Sequence, residues 1–267
     1  ALGRHVDAEP LYIRAVEDQE ILLGAHSPET LASVHNLGLL YRAMGRDDRA
    51  EEQYRKALRG MEVALGPEHL STLQVLNNLA VLLQSVGRYG EAEECHRRAL
   101  YSRMEVLGPG HASTLGSMSN LAVLLKAAGD HEEAEELHQS VLAGREELLG
   151  PTHRSTLNSV HNLGLLLRAM GQHGKAEELF RRALEGREAT LGPSHLDTVD
   201  SLNDLAELLQ SSGRHEEAEA LYQRALSGME AALGRAHRST LAALHNLALL
   251  LRTLGRHEEA EPMLWRA

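Results

Sequence analysis

The chain has 267 residues, enough to bury a substantial core, and its 43% hydrophobic and 24% charged residues are ordinary for a folded soluble protein. A net charge of −11 argues against a phosphate-backbone partner, which needs a concentrated basic surface, and 3% aromatic residues leave no platform for stacking bases. Cys95, the single cysteine, excludes an internal disulfide and fits a reducing, cytoplasmic compartment, while no apolar run approaches the roughly 20 residues of a membrane span.

The first predicted element is a helix over residues 3–23, and Gly24 ends it. A second helix follows over residues 30–44, where Val34, Leu37, Tyr41 and Met44 form one buried stripe with Leu40 at its edge. Gly45 closes it. The third runs from about Asp47 to Leu65, with Ala50, Tyr54, Ala57, Leu58 and Met61 on its inner face, and Gly66-Pro67 is a strong stop. Gly38 and Ala50 fall where two helices must approach closely, so a larger side chain there would wedge them apart. Pro10 and Pro262 share one register and are expected close enough to a helix start to cost little hydrogen bonding.

From there the pattern repeats. The string L-G-P-x-H-x-x-T-L, or a near copy, returns every 42 residues, with new units near residues 30, 72, 114, 156, 198 and 240. A fixed period of this size is the signature of a solenoid in which each unit covers its neighbour. The expectation is one array over residues 1–267, with six first-type helices (A) and seven second-type helices (B), the first B helix unpaired and the last truncated. The chain begins without Met and stops in mid-helix at Ala267, so it is expected to be a segment of a longer protein.

No catalytic set emerges, and neither a cofactor nor a metal site is expected. His69, His111, His153, His195 and His237 share one connector position, but equivalent residues of stacked helices lie about 8–10 Å apart, too far to share a zinc ion. They are expected to tie the connector. His96 and His138 take the place of Tyr54, Phe180 and Tyr222 and read as packed core imidazoles.

The pattern N-L-G/A…G…A-E…A-L resembles a tetratricopeptide repeat. With its 42-residue unit and its connector it is similar to the variety found in kinesin light chains. The second repeat carries the likeness best, in L-N-N-L-A at residues 76–80, G-R-Y-G-E-A-E at 87–93 and R-A-L at 98–100. One departure is the aromatic expected late in helix A, present as Tyr41 but replaced by Leu83, Leu125, Leu167, Leu209 and Leu251. The resemblance implies an all-α, right-handed superhelical solenoid whose A helices line a concave groove. It also implies a protein-interaction scaffold that takes an extended peptide.

Carried onto this sequence, the groove stripe of the first unit is Ala32, His35, Leu39, Arg42 and Ala43, with Asn36 at its edge. The asparagine recurs as Asn78, Asn120, Asn162 and Asn246, with Asp204 breaking the series. An amide both donates to and accepts from a peptide backbone, so these side chains either clamp a ligand or cross-link neighbouring A helices; ligand contact is the favoured reading. Basic side chains on the A helices are Arg42, Lys126, Arg168 and Arg252, with His35, His161 and His245 beside some of them, while acids concentrate on B helices. The groove is therefore expected to be locally positive and to attract an acidic or aromatic-acidic segment. The acids of the fifth A helix, Asp200, Asp204 and Glu207, could neutralise Arg168 or Arg252 or read a basic ligand group. Two other functions stay open. One is a regulatory or autoinhibitory module of a larger enzyme or ATPase; the other is end-to-end self-association through Leu11 and Tyr12 at one end and Met263, Leu264 and Trp265 at the other.

Overall fold

The computed structural model describes residues 2–266, and Ala267, where the last helix was expected to continue, lies outside them. Among the described residues there are thirteen helices and no strand. In chain order they are α1 (Leu2–Leu23), α2 (Pro28–Ala43), α3 (Asp47–Ala64), α4 (Leu70–Ser85), α5 (Tyr89–Leu107), α6 (Ala112–Ala128) and α7 (His131–Leu149). There follow α8 (Arg154–Ala169), α9 (His173–Leu191), α10 (Leu196–Ser211), α11 (His215–Leu233), α12 (Arg238–Thr253) and α13 (His257–Arg266). Even numbers are A helices and odd numbers are B helices. The chain divides into two compact units, Ala1–Leu137 and His138–Ala267. In the N-terminal unit each helix from α1 to α6 packs on the next. In the C-terminal unit each from α8 to α13 does the same.

The repeated connector is explained by its hydrogen bonds. Gly66 has φ of +97°, a conformation that a side chain would strain, and it turns the chain out of α3. Its carbonyl accepts from the Thr72 hydroxyl at 2.9 Å, and the threonine is fully buried. His69 then caps α4, its Nδ1 accepting from the Ser71 N–H at 3.2 Å. His111, His153, His195 and His237 cap α6, α8, α10 and α12 in the same way. This is how the histidine ties the connector: its ring nitrogen satisfies one of the donors orphaned at a helix start. In the first unit Ser27 does the same for the Thr30 N–H.

The A helices end differently. Arg46 N–H donates to the Tyr41 carbonyl at 2.9 Å and Gly45 N–H to the Arg42 carbonyl at 3.0 Å, with Gly45 at φ +71°. That is the paired closure of a Schellman turn, and its positive φ is why glycine keeps this beat.

Packing bears out the small residues. A Cβ at Gly38 would sit 2.7 Å from the Tyr54 ring, and one at Gly164 would sit 2.8 Å from the Phe180 ring. Ala50, Ala92, Ala134, Ala176, Ala218 and Ala260 are all buried at the matching place on the B helices. The prolines differ from expectation. Pro10 and Pro262 lie inside α1 and α13, beyond the first turn, where a proline withdraws a donor from the helical ladder. On the B helices many of the acids are paired. Glu51 meets Arg88 at 2.8 Å, Glu133 meets Arg97 at 2.6 Å, and Glu177 meets Arg214 at 2.8 Å, each pair joining successive B helices.

Candidate interaction face of the A helices

Three registers one helical turn apart build the solvent side of the A helices. The middle register, set by Leu39, continues as Val81, Val123, Leu165, Glu207 and Leu249. Leu39 is 38% exposed and Val123 39%, so aliphatic side chains face water where core packing does not require them. Only α10 replaces the aliphatic side chain, with Glu207. Sequence reasoning noticed Leu39 but missed this ladder, which comparison of the repeats at that register would have revealed.

The amide register next to it is bonded from helix to helix. Asn78 Nδ2 donates to His35 Nε2 at 2.8 Å, joining α4 to α2, which fixes the proton of that imidazole on Nδ1. Burial also pushes the His35 ring down from the ordinary imidazole range, in keeping with a neutral acceptor. Asn120 Nδ2 donates to Asn77 Oδ1 at 2.9 Å, joining α6 to α4. In the C-terminal unit His161 Nε2 stands 3.0 Å from Asp204 Oδ2, joining α8 to α10. One geometry therefore recurs, in which a side chain on one A helix meets the residue 43 positions later on the next. Asn36 and Asn246 are exposed and Asn162 is half-buried.

The third register carries the cations. Arg42 is half-buried and lines a cavity of 370 Å³ with Val81, Gln84, Tyr89, Asn120 and Val123. Arg168 is committed within its own unit, its Nη1 lying 2.7 Å from Glu207 Oε2 and 3.5 Å from Asp204 Oδ1. Asp204 and Glu207 of α10 thus neutralise Arg168, one of the two roles open to the acids of that helix. They also line a 660 Å³ cavity with Asn203, Gln210, Tyr222 and Asn246. Lys126 is half-buried, and His245 and Arg252 are exposed on α12. In the N-terminal unit the solvent side of the A helices is cationic and apolar around α4 and α6; in the C-terminal unit it is acidic around α10.

Sequence reasoning missed three arginines. Arg103 on α5, Arg145 on α7 and Arg187 on α9 hold one B-helix register, and burial pushes each guanidinium below its ordinary range. Each reaches a serine on the following A helix: Ser117 at 2.5 Å, Ser159 at 2.7 Å and Ser201 at 2.6 Å. Two other units lack both, since Met61 and Met229 stand 14 residues before Val75 and Ala243, while in the first unit Gln19 stands 14 residues before Ser33. That covariation was the available signal.

The helix pairs, their connectors and the small-residue contacts define an array of tetratricopeptide repeats. The tetratricopeptide repeat family model matches residues 1–62, 57–100, 71–147, 112–189, 155–231 and 197–267, and the chain belongs to this family. Its structural neighbours include proteins of the kinesin light chain type. One is a Podosopora anserina protein of nearly identical TPR-like repeats named for a kinesin light chain. It is 31% identical over 74% of this chain and 94% of its own, with a TM-score of 0.66. BtubC (BKLC) from P. vanneervenii shares the fold at 21% identity, covering 84% of this chain and 88% of its own with a TM-score of 0.66. The type IV pilus biogenesis factor PilW shares it at 18% identity, covering 87% and 90% with a TM-score of 0.65. Comparison with curated protein sequences finds no match.

Proposed function

We propose that this array is a non-catalytic scaffold whose A-helix face binds an extended acidic or aromatic-acidic peptide. A tetratricopeptide array is generally a protein-interaction module; the ligand class is the further step. The observation that carries it is the cavity between α4 and α6, where Val81 and Val123 offer apolar lining, Asn120 an amide and Arg42 a cation. An aromatic or aliphatic side chain would fill such a space while a neighbouring carboxylate met the guanidinium. On the B-helix side, by contrast, Arg88, Arg97 and Arg214 are already paired with glutamates. No helix among the described residues is long and apolar enough to cross a membrane, which fits a scaffold working in water.

Of the predicted contacts, Arg42, Asn78, Asn120 and Lys126 belong to the N-terminal unit, and the acidic ligand is assigned there first. Asn162, Asn246, His245 and Arg252 extend the reading into the C-terminal unit. Fluorescence anisotropy with a short fluorescein-labelled peptide of alternating Glu and Trp tests it. The acidic peptide should bind at least about tenfold more tightly than its Lys–Trp counterpart, a difference of roughly 1.4 kcal/mol. Equal binding of the two, or preference for the basic one, contradicts the proposal.

A further inference from the structure

The 660 Å³ cavity between α10 and α12 is richer in acceptors than in free donors. The three hydroxyls in its wall are committed. Ser211 donates to the Leu208 carbonyl at 2.7 Å, Thr253 to the Leu250 carbonyl at 2.7 Å and Tyr222 to Gln210 Oε1 at 3.2 Å. Asn203 Oδ1, in the same wall, is buried and has no hydrogen-bond partner among the described residues. Asn77 and Asn120 hold the equivalent two positions three repeats earlier, and there the Asn120 amide closes on Asn77 Oδ1 at 2.9 Å. Asn246, the counterpart of Asn120, stays exposed at the cavity wall and leaves Asn203 Oδ1 open. A buried acceptor in this state is costly unless a ligand supplies the donor.

Charge selects the donor. Asp204 and Glu207 stand in the same wall and share one guanidinium, that of Arg168, which lies outside it. Two carboxylates against one fixed cation leave a place for a second. Leu249 adds aliphatic surface along which a methylene stem can lie. We propose that this cavity is a pocket for an arginine side chain of a partner protein, its guanidinium meeting Asp204, Glu207 and Asn203 Oδ1. Arginine fits better than lysine, because its five N–H donors spread in one plane and reach several acceptors at once. At the Glu207 register the other A helices carry Leu39, Val81, Val123, Leu165 and Leu249, and at the Asp204 register all of them carry asparagine. Only α10 departs from both patterns, and it does so where the cavity stands. The pocket lies wholly within the C-terminal unit and does not depend on the acidic-peptide reading, which is assigned first to the N-terminal one.

Titrating Nα-acetyl-arginine amide into the isotope-labelled full chain, followed by backbone and side-chain amide chemical shifts, tests it. The control is Nα-acetyl-citrulline amide, in which a neutral urea of similar shape replaces the guanidinium. The arginine compound should shift Asn203, Asn246 and Leu249 and bind at least about tenfold more tightly than the citrulline compound. Asp204→Asn with Glu207→Leu, which copies the other A helices, should weaken it at least about tenfold. Glu207→Gln alone should weaken it about fivefold, and because that side chain is 64% exposed the fold is not at stake. Equal binding of the two compounds, shifts confined to other residues, or variants that bind like wild type overturn the pocket.

Discussion

Replacing Phe180 with Ala should lower the stability of the C-terminal unit by about 3–5 kcal/mol, the usual cost of emptying a large buried aromatic site. Phe180 is fully buried on α9 and packs against Gly164, which has no side chain because the ring occupies its place. The His161 ring stands 5.5 Å away and the Arg168 guanidinium lies 5.9 Å over the Phe180 face. The core therefore touches the A-helix registers directly, and losing the ring should loosen the bond between His161 and Asp204. Glycine cannot grow to fill the void, so the site collapses poorly. Urea unfolding monitored by circular dichroism measures the loss. Because repeats couple mainly to their neighbours, the transition should broaden as the C-terminal unit unfolds ahead of the N-terminal one. A loss below about 1 kcal/mol would show that this aromatic–glycine contact is not what holds α8 to α9.

Acidification should act through His96. Its ring is fully buried, both nitrogens lack hydrogen-bond partners, and burial, reinforced by the Arg103 charge, pushes it down to about 4. In the unfolded chain the imidazole takes up its proton near pH 6.5. Between those values the unfolded state binds more protons than the folded one, so stability falls as pH falls. The contribution is fully present above about pH 6.5 and is lost progressively down to about pH 4, amounting to about 3 kcal/mol. Glu133 behaves differently, since the Arg97 hydrogen bond holds it below the carboxylate range and its contribution disappears only at still lower pH. The Ala80→Gly/His96→Phe variant copies the Gly164–Phe180 pair and removes the buried imidazole. Chemical unfolding at pH 7 and pH 4.5 should show wild type losing at least about 2 kcal/mol more than the variant. Equal losses would mean that His96 is hydrated or protonated in the folded protein.

The fold was legible because its signals are periodic. Gly45, Gly66, Thr72 and Ala50 each recur at 42 residues, and each has a local physical task that the sequence alone suggests. The connector histidines were read as structural, yet capping through Nδ1 was not foreseen, because histidine is not among the preferred capping residues. The A-helix face was legible only in part. Its cations and amides stood out, but which of them are committed depends on neighbours 39 to 43 residues away, as with Arg168 on Glu207 and Asn120 on Asn77. Arg103, Arg145 and Arg187 were invisible to a polarity rule that places arginine outside. Only the matching serines betray their burial.

One titration tests the central claim most directly. The Glu–Trp peptide is titrated into wild type, an A-helix variant (Arg42→Gln with Lys126→Gln) and a B-helix variant (Glu132→Gln), at about 50 mM and about 1 M salt. The A-helix variant should lose about tenfold in affinity at low salt and little at high salt, where the screening length shrinks to about 3 Å. The B-helix variant should stay within about twofold of wild type at both, since an exposed charge contributes under about 1 kcal/mol. A tenfold change on the B-helix side, with the A-helix variant binding like wild type, would place recognition on the opposite face and contradict the account.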